Sequence, residues 1–198
     1  MYKALYFYLV LIIGCEDIQI ESQISNSIPL EPSDTILFIP DGFIANIFNY
    51  PVGIPDGEGY YNAQGFGDNT HLGDDWNAVT GGNSDLGDPI YAVANGYIKF
   101  AEDNGPGWGN VIRMNHHLAD STIVESLYAH CDTIMVQSGG WITIGTQIGT
   151  IGNADGIYSA HLHFEMRNKI NMPIGGGYSI NTEGYIDPTF FIDEHRGR

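Results

Sequence analysis

The chain has 198 residues, with 7 Lys and Arg against 24 Asp and Glu and a formal net charge of −17. That length allows one domain plus a tail rather than two full domains, and it can bury a core without staples. So acidic a balance argues against a nucleic-acid partner and against docking on anionic lipid or cell-wall polymer by charge alone, because each needs a basic face.

Glycine is abundant at 26 residues, Tyr reaches 12, and turn-forming clusters of Gly, Asn and Asp recur. Long helices want Ala, Leu, Glu and Lys, so this composition predicts a β-rich, loop-rich fold. At the start, Lys3 precedes an apolar run from Ala4 to Ile13. The run is too short to span a bilayer as a helix and has the length of a signal-peptide core. It ends in Ile12-Ile13-Gly14-Cys15, which resembles the bacterial lipobox. The resemblance implies cleavage before Cys15, lipid on that residue, and anchoring on the outer side of a bacterial membrane, in the periplasm or at the outer membrane. Residues 1–14 are then a lipoprotein signal peptide, and 15–47 a polar tether with an N-terminal segment. The second cysteine, Cys131, is left without a disulfide partner and reads as a small buried hydrophobe.

Farther along, Ile36 to Tyr50 suits a first short strand, with a turn at Pro40-Asp41-Gly42. Asp88 to Phe100 reads as two short strands joined by a hairpin turn at Asn95-Gly96. Val111 to His116 and Thr122 to His130 read as strands. Gly139-Gly140 breaks the chain before Trp141, and Gln147 to Asn153 leads through a loop into a strand over Ser159–Met166. Many short strands between turns predict a mostly antiparallel β-sheet domain over residues 48–192, with 193–198 as a tail. The loop Asn77–Leu86 is expected to form a groove wall, and Tyr60, Tyr61, Trp108 and Tyr158 lie in loops near enough to line the groove or to pack beside it.

The chemistry gathers on histidines. Side chains alternate along a strand, so His161 and His163 share one face while Leu162, Phe164 and Met166 take the other. Two imidazoles so placed can meet one metal ion, or can stand idle on a solvated strand; the His-x-His pattern alone does not decide. His71 and Asp75 are four residues apart, in a stretch whose Gly73 and turn formers predict a bent loop. Asp74 reads as an ordinary loop acid, His117 as a rim or structural residue, and His195 as part of the tail.

Taken in order, His71-x-x-x-Asp75, Gly87-Asp88-Pro89-Ile90-x-Ala92-x-x-x-Gly96, Tyr128-Ala129-His130 and His161-x-His163 resemble the lysostaphin-like zinc metallopeptidases. The likeness runs from about Phe48 to Arg167. It implies a compact antiparallel β-sheet domain, of the duplicated hybrid motif type with long groove-forming loops, and a Zn2+ site at the floor of the groove. Carried over residue by residue, His71, Asp75 and His163 are the zinc ligands, while His130 and His161 are catalytic histidines that do not bind metal. Two imidazoles and one carboxylate leave a fourth position open, as catalytic zinc requires. His161 is then expected to act as general base, and His130 to stabilise the developing oxyanion. Glu165 is set aside as a partner for a ligating ring because it lies toward the strand end.

The resemblance implies a zinc metallo-endopeptidase that hydrolyses peptide bonds in peptidoglycan stem peptides or cross-bridges. The alternative is an inactive binding module of the same fold that regulates other cell-wall hydrolases. The implied partners are a peptidoglycan peptide and, through Cys15, a membrane. No nucleic acid is expected, and the protein is expected to be a monomer.

Overall fold

A computed structural model describes residues 39–197. Cys15, the expected signal segment and most of the expected tether lie outside the described residues. Among the described residues, no helix is long and apolar enough to cross a membrane.

Among the described residues, ten strands form one antiparallel sheet. They are β1 (Tyr60–Gln64), β2 (Asp74–Ala78), β3 (Pro89–Tyr91), β4 (Gly96–Asp103), β5 (Asn110–His117), β6 (Ile123–Ile134), β7 (Trp141–Ile142), β8 (Gln147–Ile151), β9 (Leu162–Arg167) and β10 (Tyr185–Ile186). The main path runs β1-β2-β9-β6-β5-β4-β7; β10 joins β9, and β8 pairs with both β3 and β6. A single helix, α1 (Pro188–His195), closes the described chain. Asp187 caps it by accepting the Phe190 N–H at 2.9 Å, and Pro188 sits at its first turn, where its missing N–H costs nothing. His195 therefore ends a helix, stacked on Phe191, rather than lying in a free tail.

The core follows from alternation. Leu162, Phe164 and Met166 on β9 are fully buried and meet Tyr128, Ile112 and Met114 from β6 and β5. Phe191 and Ile192 of α1 join the same core, with Phe191 edge-on to Phe48 at 5.0 Å. β9 is buried on both faces, so its polar face (His163, Glu165, Arg167) is also cut off from water. Groups so placed must satisfy one another.

Three local expectations change. No strand forms between residues 39 and 50, although the turn at Pro40–Phe43 does, with Phe43 N–H on Pro40 O at 3.1 Å. Asn95-Gly96 is not a hairpin turn: β3 pairs with β8, while β4 pairs with β5 and β7. Asn95 instead spends its side chain on distant backbone, donating to Gly42 O at 2.9 Å and accepting from Ile144 N–H at 2.8 Å. The His71–Asp75 stretch is not all loop, because Asp75 sits in β2.

His116, next to His117, which packs against Trp141, is fully buried and carries a proton-ordered chain. Its Nδ1 lies 2.9 Å from Asn95 O, which can only accept, so Nδ1 bears the proton. Nε2 must then accept, from Ser126 Oγ at 2.7 Å. Tyr128 Oη stands 3.2 Å from Ser126 Oγ and accepts the Val93 N–H at 3.1 Å. Burial pushes the His116 imidazole down to about 4. The unfolded chain therefore takes up this proton first as pH falls. The stability tied to neutral His116 is complete above about pH 6.5 and is lost toward pH 4. Urea unfolding in chelator at pH 7 and pH 5 should show a loss of about 2 kcal/mol attributable to this group, absent in His116→Gln. An equal pH slope in both proteins would refute it.

Candidate metal centre

Strand register brings the site together. Asp75 on β2 stands opposite His163 on β9, and Ala129 on β6 stands opposite His163 from the other side. His71 enters from just before β2, held by a bridge to Tyr178. Gly73 lets this segment lie against β9, since a Cβ there would come 2.4 Å from Phe164 O. His71 Nε2, Asp75 Oδ1 and His163 Nδ1 then converge, with separations of 3.0 Å between the two nitrogens and 3.3 and 3.0 Å from them to the carboxylate.

This donor set fits a tetrahedral metal. Ligand bonds of about 2.0–2.1 Å set neighbouring donors roughly 3.3 Å apart, close to what is seen here. The tautomer fits as well. His163 Nε2 lies 3.0 Å from Glu165 Oε1, so Nε2 carries the proton and Nδ1 presents its lone pair to the cluster. Without metal, the His163 ring takes a second proton on Nδ1; burial would then raise the Asp75 carboxyl, but hydrogen bonds from His163 and His71 outweigh it and hold the group well below the usual carboxylate range. Burial likewise opposes protonation of His163, and hydrogen bonds to Asp75 and Glu165 overcome it, raising the ring to about 9 in the absence of metal. His71 Nδ1 is buried with no hydrogen-bond partner.

Two further histidines face the cluster without joining it. His161 Nδ1 lies 2.8 Å from Ser159 O and His130 Nδ1 3.2 Å from Trp108 O. Each carbonyl claims the Nδ1 proton, so each neutral ring presents Nε2 as an acceptor. His161 Nε2 is 3.8 Å from Asp75 Oδ1. His130 reaches the site through a bulge. The β5–β6 register slips between Asn110 and Ile112, and His130 takes φ +60°. Gly152 makes room for it, since a Cβ there would meet His130 O at 2.3 Å. The rings of His130 and His161 are 4.7 Å apart. Burial, then the neighbouring His161 and His163, pushes His130 down to about 3, so at neutral pH it is an uncharged acceptor.

Several readings of single residues change. Glu165 does hold His163, and Arg167 holds Glu165, through Nε at 2.8 Å and Nη2 at 2.5 Å on Oε2. The sequence did carry this signal: Glu165 lies two positions beyond His163 and so shares its strand face. Asp74 is no ordinary loop acid. It is buried, accepts from Phe66 N–H at 3.0 Å and Thr189 Oγ1 at 2.6 Å, and so ties the loop before His71 to α1. Cys131, by contrast, packs in the core as its sequence reading expects, and burial there raises its thiol to about 12 and leaves it unreactive.

A groove of about 380 Å³ opens over the cluster, lined by Asp75, His130, His161 and His163, with Trp108, Tyr158 and Tyr178 as aromatic walls. The expected wall at Asn77–Leu86 does not line it. That loop is pinned elsewhere, by Asp85 on Ala78 N–H and by Asn83 on Ala160 N–H. Tyr60 is turned to Asp88, 2.6 Å away, and Tyr61 points to solvent. The wall that composition did not reveal is Gly176-Gly177-Tyr178. Its backbone pairs with residues 70–72 through Leu72 N–H to Gly177 O at 2.9 Å and Ser179 N–H to Thr70 O at 2.8 Å.

Comparison with known proteins places this geometry. The chain is 36% identical over 100 residues to lipoprotein NlpD of Yersinia enterocolitica, covering 50% of this chain and 91% of that one. It is 33% identical over 119 residues to murein hydrolase activator NlpD of Salmonella typhimurium, covering 57% of this chain and only 28% of that longer one. A zinc containing peptidase from Vibrio cholerae superposes with a TM-score of 0.51 at 26% identity, over 65% of this chain and 41% of that one. Lysostaphin from Staphylococcus simulans shares the fold, with a TM-score of 0.52 at 23% identity over 69% of this chain and 50% of that one. The sequence profile described as Peptidase family M23 matches residues 70–179, more than half of the chain, and the chain belongs to that family.

Proposed function

We propose that the protein is a zinc-dependent endopeptidase acting on peptide bonds of peptidoglycan, with His71, Asp75 and His163 as the metal ligands. The observation that carries this reading is the convergence of those three donors beside two unligated histidines whose Nε2 atoms are free to accept protons. Bound zinc would polarise the scissile carbonyl and make water acidic enough to attack near neutral pH. His161 Nε2, oriented by Ser159 O, takes the proton of the attacking water and returns it to the leaving nitrogen. His130 shares that role. Its neutral ring is an acceptor before attack and a donor to the oxyanion only once protonated. The aromatic walls hold the peptide across the groove and exclude water from it.

The lipobox-like start supports anchoring of the enzyme in the cell envelope through a lipid on Cys15, with the polar residues that follow it as the tether; Ala45, near the end of the N-terminal segment, already belongs to the domain core. A relative named as a murein hydrolase activator supports a second reading, an inactive module that binds and regulates another hydrolase. Retention of all five site residues favours the enzyme.

Digestion of purified peptidoglycan followed by mass spectrometry should release fragments cut within peptides, and a chelator should abolish the release. His161→Ala should lower the rate by about 10²–10⁴-fold while the zinc content stays at one per chain. His163→Ala should lose both zinc and activity. Zinc bound with no peptide cleavage, but with stimulation of a second hydrolase, would replace the enzyme by the regulator. In cells, Cys15→Ser should move the protein from the membrane fraction to the soluble fraction, and an unchanged distribution would refute the anchor.

A further inference from the structure

Arg167 is among the largest fully buried side chains of the described residues, and the proposed reaction makes no use of it. A guanidinium without water is costly unless its donors are matched. Its donors point two ways. On one side, Nε and Nη2 grip Glu165 Oε2, while Glu165 Oε1 sits on His163 Nε2 at 3.0 Å. On the other, Nη1 and Nη2 donate to the carbonyls of Pro173 at 3.3 Å and Ile174 at 2.8 Å. Arg113 holds the neighbouring Met172 carbonyl at 2.8 Å, and Glu125 lies between the two arginines, 2.8 Å from Arg113 Nη2 and 3.6 Å from Arg167 Nη1.

The backbone gripped at 173–174 runs directly into the groove wall. Gly175 O accepts from Trp108 Nε1 at 3.1 Å, and Gly177 O and Ser179 N–H pair with residues 72 and 70. One buried guanidinium thus stands between a metal ligand and the wall that faces the substrate.

We infer that Arg167 is a positioning residue that sets two things at once: the orientation of His163 through Glu165, and the docking of the 173–178 wall through two carbonyls. The metal affinity of the centre is thereby coupled to the position of the wall. This rests on the metal-centre reading above. The planar fork makes four hydrogen bonds from three separate nitrogens, two to the carboxylate and two to the carbonyls, whereas a lysine ammonium has three donors on a single nitrogen and cannot reproduce that spread. Because the coupling is thermodynamic it runs both ways, and a metal on His163 steadies the wall as the docked wall steadies His163.

The test uses the full chain and Arg167→Lys, with zinc itself as the probe. Zinc affinity is read by competition with a chromophoric chelator, and wall docking by amide exchange at Leu72 and Ser179 with and without zinc. The variant should bind zinc about 10–100-fold more weakly. Both amides should exchange faster than in the parent, with less protection gained from zinc. A folded Arg167→Lys protein with parental zinc affinity, or with parental exchange at both amides, overturns the inference. Should that variant not fold, Glu165→Gln carries the test. Its side chain keeps the size but weakens the grip between His163 and Arg167, and the same loss of zinc affinity is expected; parental affinity again overturns the inference. A parent chain that binds no zinc refutes the metal centre itself, whereas parental affinity in the variant refutes only the role of Arg167.

Discussion

Asp75 and His163 face each other across two antiparallel strands, and the rest of the site hangs on that pairing. Register is all or nothing in a sheet, because a slip of one residue turns every side chain to the other face. The β2–β9 register is secured on the apolar side by Trp76, Leu162 and Phe164, which are buried in the core. The energy of core burial therefore sets the position of the donors on the opposite side. Of the five site residues, two lie in the strands of this pair, and the other three enter beside them from a bridge, a bulge and a strand start.

The polar face of β9 is unusual because it is as dry as the apolar face. His163, Glu165 and Arg167 form a line of hydrogen bonds in which each group satisfies the next, and Arg113 with Glu125 extends that line through β5 and β6. Such a line is costly if broken and rigid if complete. It explains how a chain with only 7 basic residues places one of them in its interior. The strain at His130 belongs to the same design. A residue at positive φ, seated over Gly152, is kept there by the surrounding sheet because it aims an imidazole into the groove.

Local pattern carried most of the fold and the ligand candidates. Strand alternation around His161–Met166, the turn residues and the ordered histidine blocks were all legible, because each is a property of neighbouring residues. The capped start of α1, Asp187-Pro188, was equally local and was passed over. Asn95-Gly96 was legible and misleading. Its turn chemistry is intact, but the strands that flank it found better partners elsewhere, and Asn95 bonds across to residues 42 and 144.

By itself the sequence determined the β character and the apolar face of β9, since periodicity and residue chemistry need no knowledge of contacts, while the choice of His71, Asp75 and His163 from its histidines and acids came from the family resemblance. Only the tertiary structure decided which ring nitrogen faces the cluster, that Arg167 also grips the carbonyls of Pro173 and Ile174, and that the groove wall comes from Gly176–Tyr178 rather than Asn77–Leu86. Those are outcomes of strand register and long-range backbone pairing. They bring together residues about a hundred positions apart, which no local rule can see.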